Sequence, residues 1–194
     1  MREIGQLRWA AVQDWMCEDV VLERTGLDIA AHQLRTVISY FTLRELAPDV
    51  PWLPVLQGQV SDDYLRHADM YAGAGVDLDA LPLVGIGTVC RRQHTMVAVR
   101  LIQSVSNLGL RLHGFGLKIT SLLRLRGQLA SADSMAWSLD GRLPQGARCS
   151  STRSHKNCSS CLVYAMLWRK RLLIRLEQPM LWDYGCAGVG ACLP

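Results

Sequence analysis

The sequence predicts an α/β fold that consists of part of a (β/α)8 TIM barrel followed by a C-terminal zinc-binding helical module. Three observations lead to this prediction. Strand-like and helix-like segments alternate, glycines and polar residues gather where the strand-like segments end, and cysteines cluster with a histidine late in the chain. We assign residues 1–145 to the barrel segment and 146–178 to the zinc-binding module and its helix, and we leave the tail, 179–194, unassigned.

Five short apolar runs predict the strands. They are LRWAAVQDW (7–15), WLPVLQG (52–58), LPLVGIGT (81–88), LRLHGFGLK (110–118) and SADSMAW (131–137). Helical patterns fill the intervals between them. Strands separated by helices form parallel β/α units with right-handed crossovers, so we expect a parallel sheet.

The longest helix is predicted for residues 28–47, where apolar side chains recur at intervals of three and four and Pro48 ends the pattern. Its apolar positions are Ala30, Leu34, Val37, Ile38 and Phe41.

A second helix is predicted to begin at Ser61 as its N-cap and to end at Gly73 and Gly75. Two further helices are predicted for residues 92–107 and 119–129. Each therefore connects two of the predicted strands.

Each predicted strand ends in polar residues or glycines. These are Gln13 and Asp14, Gln57 and Gly58, Gly85 and Gly87, Gly114, Gly116 and Lys118, and Asp133 and Ser134. A barrel assembles its active site from several strand ends, with glycines that let a ligand approach the backbone. A doubly wound sheet also binds ligands at strand ends, but near one switch point, and no GxGxxG turn opens a helix here. We therefore favour the barrel.

Five strands are too few to close a barrel of eight. Either a partner supplies strands, as a second copy of the chain or as another protein, or the chain is a shortened version of a longer one. No apolar run reaches 18 residues, and the first residues do not form a secretory signal. We expect a cytoplasmic protein with no membrane partner.

Positive charge is concentrated in the second half of the chain. Residues 1–110 hold 9 Lys or Arg against 13 Asp or Glu, whereas residues 111–194 hold 12 against 4. Of the 21 basic residues 18 are Arg, whose planar guanidinium suits phosphate. The pattern fits a nucleic-acid-binding face, although a GC-rich genome also favours Arg.

Four residues have the types and compact spacing of a tetrahedral zinc site: Cys149, His155, Cys158 and Cys161. In a reducing compartment such a cluster indicates a metal rather than a disulfide. Free cysteines are the alternative. Four protein ligands would leave no position for water, so the zinc ion would be structural.

Basic residues surround this cluster and could bind nucleic-acid phosphates. They are Arg148, Arg153, Lys156, Arg169, Lys170 and Arg171. An ordinary solvated face would have the same composition, so the charges alone leave both interpretations open.

Six segments, in a fixed order, resemble the queuine and archaeosine tRNA-guanine transglycosylase superfamily. They are VQDWMCE, PVLQG, PLVGIGTVCRRQ, LHGFGLK, SADSMAWS and HKNCSSC. The resemblance covers roughly residues 8–175 and is closer to the phage and bacterial DpdA-like branch, which inserts 7-deazaguanine derivatives into DNA. It implies a pentosyltransferase with DNA or tRNA and a 7-deazaguanine base as partners.

The resemblance implies that Asp133 is the nucleophile. In this superfamily a carboxylate attacks the sugar C1′, guanine leaves, and the new base displaces the enzyme from the other side. A carboxylate suits this role because the transition state resembles an oxocarbenium ion. A lone aspartate at a strand end or turn is the alternative interpretation of Asp133.

The resemblance also implies a base-binding site. Asp14 matches the aspartate that accepts the N1 and N2 donors of guanine, with a helix cap or turn as the alternative. Gln57 matches the glutamine that contacts the guanine carbonyl oxygen, and Gly58 would leave room for the base. Gly85 and Gly87 match the glycine-rich strand end that contributes backbone groups.

Two departures from the family pattern bear on activity. The superfamily has a further aspartate in a DSGGF-like motif on an early strand, and no such motif occurs here. The tRNA enzymes have three cysteines followed by a histidine, whereas His155 precedes two cysteines, which makes Cys149 the least secure ligand. We therefore expect an N-terminally truncated pentosyltransferase, and the missing aspartate motif leaves incomplete or absent activity open as an alternative. Its alternative function is that of an inactive, zinc-containing nucleic-acid-binding remnant.

A metal-independent β/α enzyme of another type remains a third class. It would need a glycine loop that binds phosphate after a strand, and GFGLKIT (114–120) is the candidate segment. A plain turn between strand and helix has the same composition.

Overall fold

The computed structural model describes residues 7–88, 96–143, 149 and 155–177. The chain divides into two compact units, residues 1–135 and 136–194. All the described strands belong to the first unit. The predicted tail, 179–194, lies outside the described residues.

The described strands are short and occur where the apolar runs predict them. They are β1 (Ala10–Ala11), β2 (Trp52–Leu53), β3 (Val55–Leu56), β4 (Val84–Ile86), β5 (Leu112–Gly114) and β6 (Ser131–Ala132). Strands β3 and β4 are completely buried, as expected for strands that are covered on both faces.

All strand pairs are parallel, and their order follows the chain. Strand β1 pairs with β2, and a second sheet has the order β3, β4, β5, β6. Pro54 alone separates β2 from β3, and it lacks the N–H group that a ladder needs. The order shows no reversal, whereas a doubly wound sheet has a switch point. A parallel α/β fold is confirmed, while the partial TIM barrel stays a prediction.

Four described helices of the first unit connect consecutive strands, after a short helix that follows β1. The short helix is α1 (Asp19–Thr25), and the connecting helices are α2 (Ile29–Leu46), α3 (Ser61–Gly73), α4 (Met96–Ser106) and α5 (Ile119–Leu125). Helix α2 begins where the Asp28 carboxylate accepts a hydrogen bond from the Ala31 N–H at 2.8 Å. The predicted helices are therefore present, and residues 92–95, the predicted start of the third, lie outside the described residues.

Of the five apolar residues whose spacing predicts α2, Val37 is buried and the other four are exposed. Leu34, Ile38 and Phe41 are 51%, 53% and 38% exposed, and the buried residues are His32, Gln33, Thr36, Val37 and Tyr40. This face is polar because it lies against loops whose backbone groups need partners. The Gln33 amide donates to the Gln57 carbonyl oxygen at 2.7 Å, and Thr36 Oγ1 accepts from the Trp15 N–H at 2.9 Å.

The predicted N-cap of α3 is wrong. Ser61 is the first helical residue, and the cap position is Val60, whose side chain makes no cap hydrogen bond. The Asp63 carboxylate performs this function by accepting from the Gln59 N–H at 2.8 Å and the Val60 N–H at 3.1 Å. A carboxylate in the first turn also interacts favourably with the helix dipole.

The second unit contains α6 (Ala136–Asp140) and α7 (Leu162–Glu177). Tyr164 and Trp168 are the buried residues of α7, and the Tyr164 hydroxyl donates to Asp140 Oδ2 at 2.7 Å. Val163 on the same helix is 41% exposed. Among the described residues no helix combines the length and the hydrophobicity needed to cross a membrane.

Candidate active site and metal centre

The register of the parallel strands aligns one row of residues near their carboxyl ends. This row contains Val55, Gly85, His113 and Ser131. The side chains two positions further along each strand point to the same face of the sheet. These positions hold Gln57, Gly87, Phe115 and Asp133. The alignment continues to Asp133, because its N–H donates to the Gly114 carbonyl oxygen at 3.2 Å. The predicted site residues Gln57, Gly87 and Asp133 thus lie at the same edge of the sheet, where the strands end.

The Gln57 side chain is fully buried and is held at both ends. Its Oε1 accepts a hydrogen bond from the Thr88 hydroxyl, and its Nε2 donates to Asp14 Oδ2. Thr88 Oγ1 in turn accepts from the Cys17 N–H at 2.9 Å. This chain of bonds fixes the orientation of the amide, so that its nitrogen faces Asp14 and one N–H remains for another acceptor.

The Gln57 backbone is also fixed. Its N–H donates to His67 Nδ1 at 2.8 Å, which places the ring proton of neutral His67 on Nε2. Burial lowers the pKa of His67 to about 4, so the ring is neutral at pH 7. A neutral ring is required here because Nδ1 must accept a hydrogen bond.

Asp14 is the partly exposed end of this network. Burial raises the pKa of its carboxyl group, against the lowering effect of hydrogen bonds from its own backbone N–H and from Gln57. An ionised Asp14 accepts hydrogen bonds only, which matches the adjacent N1 and N2 donors of guanine. A direct hydrogen bond therefore joins Asp14 and Gln57, the two residues that the sequence predicts to lie in one base-binding site.

Thr88 was not predicted as a site residue. Its φ angle is +57°, which is costly for a β-branched side chain. Its hydroxyl links Cys17 and Gln57, which are 71 and 31 residues away in sequence. The GIGT motif contains Thr88, yet sequence spacing alone does not indicate such distant partners.

The three predicted glycines are surrounded by protein atoms. A Cβ atom on Gly87 would lie 2.1 Å from Gln57 Nε2, and one on Gly85 would lie 2.6 Å from the Phe115 ring. A Cβ atom on Gly58 would lie 2.5 Å from the Asp63 Cβ, so α3 occupies that space. Gly85 and Gly87 leave room for neighbouring site side chains. That Gly58 leaves room for a base stays a prediction.

Asp133 lies immediately after β6, with its side chain 57% exposed. Its Oδ1 accepts a hydrogen bond from the Gly116 N–H at 2.5 Å, and Gly116 has a φ of +61°, which favours glycine. Its Oδ2 lies 3.6 Å from His113 Nε2. An anchored and accessible carboxylate has the properties required of a nucleophile.

The candidate metal centre lies in the second unit. The ligand atoms of Cys149, His155 and Cys161 all lie within 4.8 Å of one another. His155 Nε2 is 3.4 Å from Cys149 Sγ, and the Cys149 and Cys161 sulfur atoms are 3.5 Å apart. Ligands of a tetrahedral zinc ion are separated by about 3.5 Å, so these donors fit the metal. Cys149, the least secure ligand from sequence, belongs to the cluster.

Cys158 is near the cluster but does not belong to this compact group. Its Sγ lies 3.3 Å from His155 Nε2. The loop that carries it is fixed, because the Cys158 N–H donates to the Gly141 carbonyl oxygen at 2.8 Å. A Cβ atom on Gly141 would lie 2.7 Å from the Cys158 backbone, so the close approach of these two segments requires glycine. The role of Cys158 as fourth ligand stays a prediction.

Four of the six predicted basic residues are described, and all are exposed: Lys156, Arg169, Lys170 and Arg171. Arg148 and Arg153 lie outside the described residues. Three of the four are consecutive on α7, so they project in different directions around the helix.

A family model described as DeoxyPurine in DNA protein A (DpdA) matches residues 1–190. The chain belongs to the DpdA family. No curated protein matches the sequence significantly. Membership confirms the resemblance to the DpdA-like branch and supports a role in 7-deazaguanine modification of DNA at the level of the family.

Membership in the DpdA family also supports a transferase-type enzyme that acts on DNA. Within this DpdA-family chain, the structure brings Asp14 and Gln57 into contact and places Asp133 at the same sheet edge. His113, which the sequence interpretation did not single out, lies between Gly85 and Ser131 in the aligned row. Its position in the LHGFGLK segment was the only indication in the sequence that His113 could belong to the site.

Proposed function

We propose that this DpdA-family chain replaces guanine in DNA by a 7-deazaguanine derivative through a covalent bond between Asp133 and the sugar. In the first step an Asp133 oxygen bonds to C1′ while the C1′–N9 bond breaks and its electrons leave with guanine. In the second step N9 of the new base attacks C1′ and releases the carboxylate. Departing guanine gains one proton and the incoming base loses one, so the protons balance over the two steps.

The observation that carries this proposal is the position of Asp133. It follows a parallel strand, its side chain is exposed, and the Gly116 N–H anchors one of its oxygens. A hydrogen bond to the carboxylate stabilises the negative charge that returns in the second step. Active sites of parallel α/β enzymes lie at this end of the strands.

The Asp14 and Gln57 pair supplies the recognition of the base. The carboxylate accepts the N1 and N2 donors that guanine and 7-deazaguanine share, and Gln57 retains one N–H for the carbonyl oxygen of the base. Both bases offer the same edge, so one site serves the leaving and the entering base in turn. The two bases differ at position 7, which is nitrogen in guanine and carbon in 7-deazaguanine and does not belong to this edge.

The second unit supplies structure and DNA contacts. Cys149, His155 and Cys161, with Cys158, would hold a zinc ion, whose bonds to the protein would stabilise this small unit. Arg169, Lys170, Arg171 and Lys156 would bind phosphates. Neither group takes part in the chemical step.

Asp133→Asn tests the proposal. Zinc-loaded protein is mixed with labelled guanine and either guanine-containing duplex DNA or tRNA, and incorporation of label is measured. We expect incorporation into DNA by the unaltered protein and none by the variant, because an amide is a poor nucleophile. Asp69→Asn, which makes the same change on the exposed surface of α3, is the matched control and keeps activity.

Three outcomes would contradict parts of the proposal. Equal incorporation by Asp133→Asn would exclude this residue as the nucleophile, and incorporation only into tRNA would exclude DNA as the substrate. Binding of DNA without any incorporation, by unaltered and variant protein alike, would favour the inactive nucleic-acid-binding protein.

A further inference from the structure

His113 is a buried titratable residue that the proposed reaction has not used. It lies in the middle of β5 and is 3% exposed. The rings of Trp9 and Phe115 meet its ring at centroid distances of 4.8 and 4.6 Å, both with edge contacts. These contacts fix the plane of the imidazole.

The two nitrogens of His113 face different partners. Nδ1 lies 2.8 Å from Ser131 Oγ, and Nε2 lies 3.6 Å from Asp133 Oδ2. An ionised carboxylate only accepts hydrogen bonds, so the proton of the neutral ring belongs on Nε2, and the Ser131 hydroxyl donates to Nδ1. Ser131 thereby selects the ring form that presents an N–H group to Asp133.

His113 Nε2 is completely buried and has no hydrogen-bond partner within the described residues. Its separation from Asp133 slightly exceeds a hydrogen bond, as is frequent for catalytic contacts in free enzymes. Burial of an unpaired N–H is unfavourable, so a small movement of the exposed Asp133 side chain toward Nε2 would be stabilising.

We propose that His113 is a positioning residue for Asp133, whose Oδ2 it holds through Nε2–H while the Gly116 N–H holds Oδ1. The inference rests on the proposed base exchange. With both oxygens held, the carboxylate has one orientation toward C1′, and the two N–H groups stabilise the charge that returns to it when the second base attacks. Ser131 supports this arrangement by fixing the ring.

Electrostatics agree with this geometry. Burial lowers the pKa of His113, and the neighbouring Asp133 carboxylate acts in the opposite direction. The ring is thus neutral at pH 7, which is the form that the hydrogen bond from Ser131 requires.

The contact itself is tested by nitrogen-15 NMR of the imidazole rings in the whole 194-residue chain without DNA. The His113 signals are assigned from their loss in His113→Gln. We expect the neutral ring to carry its proton on Nε2, and Asp133→Asn to lower the pKa of His113 because a stabilising negative charge is removed. A proton on Nδ1, or the same titration in both proteins, would overturn the inference whatever the activity.

The positioning role is tested by kinetics of His113→Phe and His113→Gln. Phenylalanine keeps the aromatic volume but removes the N–H, and we expect kcat to fall roughly tenfold to a hundredfold with little change in KM for the base. Glutamine restores an N–H near the Nε2 position and should recover part of the loss. An unchanged kcat in a folded His113→Phe variant would overturn the inference while base exchange stands. An inactive unaltered protein with the expected NMR result would instead overturn base exchange alone.

Discussion

Gly87 leaves the space in which the Gln57 side chain lies. A Cβ atom at this position would be 2.1 Å from Gln57 Nε2, the atom that donates to Asp14. Tyr64 fixes the same residue from the other side, because its hydroxyl donates to the Gly87 carbonyl oxygen at 2.7 Å. The backbone of Gly87 cannot shift without loss of this bond, so a side chain there must displace Gln57.

Gly87→Ala should therefore weaken base binding. Displacement of Gln57 breaks its bond to Asp14 and leaves a buried amide unpaired, which costs about 1–3 kcal/mol. Affinity for a 7-deazaguanine, measured by calorimetry, should fall roughly tenfold to a hundredfold, since about 1.4 kcal/mol corresponds to a factor of ten. Gly73→Ala is the matched control, because a Cβ atom there has no neighbour within 4 Å. Equal affinities of the two variants would show that Gln57 does not support the base site.

The sequence predicts Asp14, Gln57 and Asp133 as site residues from their types and their positions at strand ends, and their functions stay predictions. Thr88 and His113 were missed because their roles depend on partners brought together by folding: Cys17 for Thr88, and Asp133 for His113. A histidine in an apolar run is more often a core residue, and only the register reveals its neighbour.

Helix α2 shows what spacing predicts and what it cannot predict. Its existence and ends follow from the Asp28 cap and from Pro48, which are local signals. The orientation of the helix does not follow, because it depends on which loops it covers. The buried polar side chains of α2 bind backbone groups of residues 15, 16 and 57, while Leu34, Ile38 and Phe41 are exposed.

Helix α3 carries His67, which accepts a hydrogen bond from the Gln57 N–H after β3. Protonation of His67 makes the stability of the fold depend on pH. Its pKa in the folded protein is about 4 against an ordinary value of 6.5. Between these values the unfolded chain binds more protons, so the free energy of unfolding should rise with pH, by about 3 kcal/mol from this residue in total. The contribution is complete above pH 6.5 and is lost as pH falls through about 4.

His67→Asn isolates this effect. Asparagine offers an oxygen to the Gln57 N–H but does not titrate in this range, so the variant should show a flatter dependence of unfolding free energy on pH. The measurement is urea unfolding at several values between pH 4 and 7. A parallel dependence in both proteins would mean that His67 does not resist protonation in the folded state.

At the scale of the whole molecule, the two ends of the chain differ in charge. The proposed nucleophile and the proposed base-binding residues lie in residues 1–135, whereas α7 and the candidate metal centre lie in 136–194, where positive charge dominates. In the proposed function, the first unit performs the chemistry and the second unit binds DNA. Composition predicted the basic end, but only the structure shows that its described basic side chains are exposed.

This division predicts how DNA binding depends on salt. Each phosphate contact made by a basic side chain releases about one counterion, so the combined change of Arg169, Lys170 and Arg171 to Ala should reduce the slope of log affinity against log salt by up to about three. Arg24, Arg44 and Arg100, exposed residues of the first unit, changed together to Ala, give a control with the same loss of charge. Affinity for a guanine-containing duplex is measured by fluorescence anisotropy between about 50 and 200 mM salt. If α7 binds phosphates, its variant alone loses slope. If both variants lose slope equally, net charge attracts the DNA and no specific role of α7 remains.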